Sequence, residues 1–293
     1  MTSNVDPSAE LLVGVDLNRP FDLPLAWAAD EAHRRGLTVR LLLAVPPSHH
    51  GHHVDSTAQH LALRAQGSDS LAQAAARIHE RHGDLEVVTE LLDGMPAPLL
   101  CRNSLQARMI VLGTRGLGRL AEFLSAGSVT VPVSAQAPCP VVVVREPEHI
   151  TQQPPHVVVG VDGSPASDAA VAFAFEEAAL RGAELRALLV RQPSMVSFRE
   201  SASAEPERLK LLSEAIAGPS AEYPDVHVTH EVARGHPVEE LARASEGALA
   251  VVVGRRGRGG YTGMRLGSVV HGLLHRAHCP VITVPAPSTV PAA

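Results

Sequence analysis

The sequence predicts an α/β protein of two tandem doubly wound domains, each built on a five-stranded parallel sheet, over residues 9–146 and 154–286. Three observations predict this. The chain repeats itself, because Leu11-Leu12-Val13-Gly14-Val15-Asp16 returns as Val157-Val158-Val159-Gly160-Val161-Asp162 at an offset of 146. In both halves short, wholly apolar runs alternate with segments of helical character, the pattern of strands covered on both faces. The length of 293 residues exceeds one average domain and suits two.

The elements follow in the same order in each half. The opening strand ends on Asp16 or Asp162, and each aspartate precedes an arginine-glycine helix stop by 20 residues, at Gly36 and Gly182. Between them, Leu25-Ala26-Trp27-Ala28-Ala29 and Val171-Ala172-Phe173-Ala174-Phe175 carry the apolar surface of a helix packed on a sheet. Residues 39–45 and 185–190 are apolar enough for buried strands. Residues 46–68 and 191–207 are the least regular and read as long loops before the second helix. Residues 84–90 and 225–232 read as third strands with their flanking turns. Asp93-Gly94-Met95-Pro96 and Arg234-Gly235-His236-Pro237, related by an offset of 141, lead into a third helix. The fourth strand holds Ile110-Val111-Leu112 or Val251-Val252-Val253, and a glycine-rich loop and a last helix follow it. Cys139-Pro140-Val141-Val142-Val143-Val144 and Cys279-Pro280-Val281-Ile282-Thr283-Val284 close the halves at an offset of 140. Residues 146–155, polar and proline-bearing, read as the linker.

Composition excludes several classes of function. With 45% hydrophobic residues, 19% charged residues and a formal charge of -6, the chain reads as globular rather than disordered. The acidic balance argues against nucleic acid as a partner, since duplex phosphates call for a basic footprint. No apolar run reaches the roughly 18 residues of a membrane span, and residues 1–10 lack the zones of a signal peptide, so a cytoplasmic location is expected. Cys101, Cys139 and Cys279 are odd in number and lack CxxC spacing, which indicates neither a disulfide framework nor a zinc site. Lys210 is the only lysine, so no Walker-type Gly-Lys-Ser loop exists.

The chemistry is concentrated in one loop pattern that occurs twice. Gly254-x2-Gly257-x9-Gly267-Ser268 is echoed upstream by Gly113-x2-Gly116-x10-Gly127-Ser128. A strand that runs through bare glycine loop into a helix N-terminus suits phosphate, because the first amides of the helix lack intrahelical acceptors and the helix dipole favours anions. Ser268 is placed to cap the last helix. Arg255, Arg256 and Arg258 are suited to neutralising phosphate charge. Asp162 lies at the tip of a strand expected beside the one ending at Gly254, and is suited to a base, a ribose or a magnesium ion.

On these residues the chain resembles the universal stress proteins, specifically their tandem-domain members, over residues 11–284. The resemblance is carried by Gly160-Val161-Asp162-Gly163-Ser164 with Ser167 and Ala170, by the loop from Gly254-Arg255-Arg256-Gly257-Arg258-Gly259 to Gly267-Ser268-Val269, and by Cys279-Pro280-Val281. It implies an adenine nucleotide alpha hydrolase-like fold, ATP held with Mg2+ between the first-strand aspartate and the G-x2-G-x9-G-(S/T) loop, and pairing of domains through the last strand. It also implies a regulator of stress response or growth with at most slow ATP hydrolysis, a possible homodimer, and a protein partner not specified. The alternatives are a slow ATPase or nucleotidyl-transfer enzyme of the same fold, or a pseudo-dimer that binds nothing.

In the first half the corresponding positions are Gly14, Asp16, Gly113, Thr114, Arg115, Gly116, Gly118, Gly127, Ser128 and Val129. This half departs from the pattern. Leu17-Asn18 stands where the family tends to show Gly-Ser, which places a bulkier side chain beside the expected base pocket. An extra residue at Ser125 or Ala126 shifts the expected phosphate amides, and Pro132 removes an early donor from the last helix. Nucleotide is therefore expected to be gripped more firmly by the second half. The run His49-His50-Gly51-His52-His53 reads as a solvated loop, and His271, His275 and His278 as a solvated helix face.

Overall fold

A computed structural model describes residues 10–17, 22–46, 58–114, 129–145, 151–192, 204–258 and 265–287. The chain forms two compact units, Met1–Glu146 and Pro147–Ala293. The first contains β1 (Glu10–Val15), α1 (Asp22–Arg35), β2 (Thr38–Val45), α2 (Ala58–Arg81), β3 (Val87–Asp93), α3 (Pro96–Asn103), β4 (Ala107–Gly113), α4 (Thr130–Gln136) and β5 (Val141–Val144). The second repeats the order as β6 (His156–Val161), α5 (Pro165–Arg181), β7 (Glu184–Arg191), α6 (Ala204–Glu222), β8 (Val228–Arg234), α7 (Pro237–Ala244), β9 (Ala250–Gly254), α8 (Ser268–Arg276) and β10 (Val281–Val284).

Within each unit five strands run parallel, in the order β3-β2-β1-β4-β5 and its counterpart β8-β7-β6-β9-β10. Strand order reverses between β1 and β4, and again between β6 and β9, so each unit is doubly wound with a crevice at that switch. Helix α1 packs on α2 and α3 on α4, as α5 does on α6 and α7 on α8. The central strands sit between these layers, which is why Leu11, Leu12, Val157, Val158 and Val159 are all fully buried and no polar face is needed.

The glycine stops behave as expected. Gly36 and Gly182 adopt φ +64 and +58, a left-handed region that costs glycine nothing. The amides beyond them close the helix ends, Leu37 onto the Ala32 carbonyl and Ala183 onto that of Ala178, both at 2.9 Å.

Three expectations change. The second helix starts at Ala58, not after Ser68, because Ala58 to Ala65 is rich in helix formers and Gly67 is a contact residue rather than a stop. A Cβ at Gly67 would lie 2.8 Å from Leu91 Cδ1 and 3.2 Å from Leu43 Cδ2, so the glycine lets α2 settle onto the sheet. Its counterpart α6 likewise begins earlier, at Ala204. The third strands lie further along, at Val87–Asp93 and Val228–Arg234, and run to the glycines at Gly94 and Gly235, which turn the chain at positive φ.

Candidate functional site

In the second unit the site begins where β6 ends. Asp162 is the next residue, and Gly163 at φ +72 reverses the chain in a left-handed turn. Ser164 then caps α5, its hydroxyl accepting from the Ser167 amide at 3.2 Å, with Pro165 in the first helical position. The turn is knotted further. The Ser164 amide donates to Asp162 Oδ1 at 2.9 Å, and the Asp162 amide donates to Ser167 Oγ at 3.1 Å.

The glycine loop leaves β9 against this turn. A Cβ at Gly254 would stand 2.6 Å from the Ala166 carbonyl carbon and 2.8 Å from the Ser167 amide nitrogen, so only glycine lets β9 meet α5. A Cβ at Gly257 would overlap Asp162 Oδ2. The next amide, Arg258, donates to that same oxygen at 3.1 Å across 96 residues of sequence, while Ser164 Oγ donates to the Arg256 carbonyl at 3.2 Å. Both oxygens of Asp162 thus accept main-chain N–H groups, and the carboxylate joins strand tip to loop. Further on, the Gly267 amide donates to the Arg255 carbonyl at 2.9 Å and brings the chain back to start α8.

That start corrects one expectation. Gly267, at φ -69 and ψ 149, is the extended residue that precedes the helix, and Ser268 is the first helical residue rather than its cap. Gly267 offers no side chain to cap α8, and among the described residues none does. The leading amides of a helix lack intrahelical acceptors, and the first residues of this one, Ser268 and Val269, line a cleft of about 520 Å3 together with Gly254, Gly257, Gly267, Gly160 and Asp162. Ser164 and Arg256 also line it, and among the described residues Asp162 is its one carboxylate and Arg256 its one cation. Leu188, Val190, Leu241 and Leu266 supply apolar walls.

The other expected residues lie around the cleft rather than in its lining. The Arg255 amide binds the Val284 carbonyl at 2.7 Å, and the Arg258 guanidinium carbon lies 3.4 Å from the position of a Cβ on Gly163. Gly259 lies outside the described residues. The motif reading missed the walls. Their signals are the two-residue alternation of Leu188 and Val190 on one face of β7, and Leu241 four residues after the proline that opens α7.

The first unit reproduces the floor of this cleft. A Cβ on Gly14 would meet Leu112 Cδ2 at 2.7 Å and Leu100 Cδ1 at 3.3 Å, as one on Gly160 would meet Val253 Cγ1 at 3.1 Å and Leu241 Cδ1 at 3.2 Å. Gly113 ends β4, and the buried Thr114 donates its amide to the Val144 carbonyl at 3.0 Å, matching Arg255 and Val284. Asp16 follows β1 as Asp162 follows β6. Arg115, Gly116, Gly118, Gly127 and Ser128 lie outside the described residues, as does the run His49-His50-Gly51-His52-His53. Val129 precedes α4 in helical conformation, and Pro132 falls in the first turn, as expected. Leu17 lies against α2, with its Cδ2 3.5 Å from the place of a Gly67 Cβ and its carbonyl accepting from Gln66 Nε2 at 3.2 Å, and it lines a cavity of about 490 Å3 together with Gly14 and Val15.

Two doubly wound units in tandem, with a glycine floor at each switch and a glycine loop bent over a strand-tip aspartate in the second, define a duplicated α/β protein of the kind that receives ligands at the carboxyl ends of its strands. The family model described as universal stress protein family matches residues 9–145 and 155–285. A universal stress protein of Mycobacterium tuberculosis is 34% identical over 299 residues, spanning 93% of this chain and 95% of that protein. One of Mycolicibacterium smegmatis is 36% identical over 289 residues, covering 94% and 96% of the two chains. Among solved structures, a universal stress protein of Archaeoglobus fulgidus shares the fold over 95% of this chain and 97% of its own, with a TM-score of 0.74 at 20% identity. The chain belongs to the universal stress protein family.

Proposed function

We propose that this protein is an ATP-binding regulator, and that nucleotide occupancy of the second unit sets its conformation or its choice of protein partner in stress response or growth. The observation that carries the reading is the convergence of Asp162, the three motif glycines and the first residues of α8 on one cleft of about 520 Å3. That volume falls in the range of about 300–1,000 Å3 typical of small-molecule sites. In this reading the apolar walls receive the base, the α8 amides receive phosphate oxygens, and Arg256 offsets their charge. Mg2+ arrives with the phosphates, since the carboxylate that lines the cleft already accepts two amides.

Binding without rapid turnover is favoured by the same geometry. Asp162 is the natural candidate for a general base, and its two oxygens are engaged in tying the strand tip to the loop. The cytoplasm is the proposed location, and a homodimer and a protein partner belong to the same proposal.

Native mass spectrometry of the full chain with MgATP tests it. Bound ATP, with ADP appearing only slowly, is the expected outcome. A chain that shows no adduct with ATP, AMP or cyclic nucleotide at saturating concentration overturns it. Size-exclusion chromatography with and without ATP tests the dimer.

A further inference from the structure

The first unit carries a cluster of metal-ligating side chains at the amino ends of its strands, at the opposite end of the sheet from Asp16. His33 lies in the last turn of α1, and His82 and Asp84 lie in the turn between α2 and β3. One ligand atom from each of the three lies within 4.8 Å of the others. The two imidazoles are stacked, with centroids 4.3 Å apart and planes 12° from parallel, and His33 Nδ1 is 3.8 Å from Asp84 Oδ2. Behind them stands a second carboxylate. Asp30 lies 2.8 Å from His82 Nε2 and also accepts from Arg81 Nε and Nη2 at 2.6 and 2.8 Å.

We propose that His33, His82 and Asp84 bind one divalent transition metal of the zinc class, with water completing the coordination. Asp30 then plays the part of an outer-shell carboxylate. By accepting the Nε2 proton of His82 it leaves the Nδ1 lone pair for the metal. A tetrahedral ion with bonds of about 2.0–2.1 Å needs donor atoms about 3.3 Å apart. One ligand atom of each residue starts within 4.8 Å of the others, and His33 and Asp84 are exposed enough for side-chain rotation to bring the chosen donors together and open the ring stack. Of the neighbouring cations, Arg81 is paired with Asp30, and Arg34 shares Glu31 with Arg35. Two imidazoles and one carboxylate favour zinc, nickel or copper over magnesium or calcium.

The duplicated fold supplies an internal control. The positions of His33, His82 and Asp84 correspond in the second unit to Ala179, Tyr223 and Asp225, and there Tyr223 stacks on Phe175 at 6.2 Å. The site then has no counterpart in the second unit among the described residues, and its effect would be to clamp the end of α1 to the turn before β3.

The test uses the full chain carrying His49→Ser, His50→Ser, His52→Ser and His53→Ser, so that the other imidazole run does not contribute. Titration with ZnCl2 is expected to give one equivalent, and CoCl2 to give the visible absorption of a four-coordinate site. On this background His33→Ala, His82→Ala or Asp84→Asn should weaken zinc about tenfold or more, and Asp30→Asn, which removes no ligand, about 10–100-fold. Circular dichroism of each metal-free variant checks the fold, and Asp84→Asn, at a side chain 75% exposed, guards against a misfolded variant being read as a lost ligand. No zinc equivalent in the background chain, or one insensitive to both His33→Ala and Asp84→Asn, overturns the proposal.

Discussion

Gly257 faces the carboxylate of Asp162 so closely that no Cβ fits between them, while the neighbouring Arg258 amide donates to that carboxylate. Gly257→Glu adds both a side chain and a second negative charge at this point, so the loop must lift away from the strand tip. The expected result is loss of ATP binding at the second unit, read by calorimetry, with an unchanged far-ultraviolet dichroism spectrum; unaltered affinity would refute the assignment. Asp30 makes a second prediction at this scale. Burial raises its pKa, but hydrogen bonds from Arg81 and His82 and the charge of Arg81 outweigh that, and the carboxyl is held below its ordinary 3.8. A depressed carboxylate stabilises the fold above its unfolded pKa, and that contribution is lost as pH falls through the folded value. Asp30→Asn should therefore lower stability at pH 7, and the gap from the parent should narrow between about pH 5 and about pH 2 in urea titrations. A constant gap across that window contradicts the sign.

Among the elements, α1 and α5 share a device that the sequence did not advertise. Glu31 and Glu177 are fully buried, each one turn before an arginine whose side chain is itself nearly buried, Arg35 at 6% exposed and Arg181 at 9%. Each pair closes just ahead of the left-handed glycine that ends the helix. Removing one partner of a buried pair strands the other charge, so Glu177→Ala should cost about 3–5 kcal/mol, measured by urea unfolding of the full chain. A loss below about 1 kcal/mol would mean that water or other partners replace the carboxylate. Local pattern was otherwise a good guide to elements. Wholly apolar runs such as Val141–Val144 located the strands, some of them to within a residue or two, and arginine-glycine pairs located helix ends. It failed where a residue's role is set by what lies across from it. Gly67 looks like a break in sequence, yet its purpose is to admit Leu91 and Leu43, and nothing local distinguishes those cases. Ser268 has the side chain of a cap, but Gly267 takes the extended conformation that precedes the helix.

For the molecule as a whole, the repeat was the strongest signal, because two copies of one pattern fix the fold twice. The glycine loop and Asp162 were legible for the same reason. The walls of the cleft were not, since Leu188, Val190 and Leu241 come from β7 and α7, and any apolar side chain there reads as ordinary core. Two units with unlike loops should also respond unequally to ligand. Ligand that binds only the folded state stabilises it by about 2.7 kcal/mol at 100 times Kd. Calorimetric scans with MgATP should therefore shift the unfolding of the second unit more than that of the first, with limited proteolysis assigning each transition. Equal shifts would show that both units grip nucleotide alike.

The meeting of β9 with the first turn of α5 is peptide group against peptide group, with Gly254 leaving no gap at Ala166. A seam of this kind depends little on which side chains surround it, so a lineage is at liberty to repaint the cleft's walls and rim while its floor keeps the same contour. Its vulnerability is correspondingly narrow. Every glycine codon is a single base change from an alanine codon, and one added methyl at position 254 would pry strand from helix, a lesion that no compensating exchange elsewhere in the wall would mend.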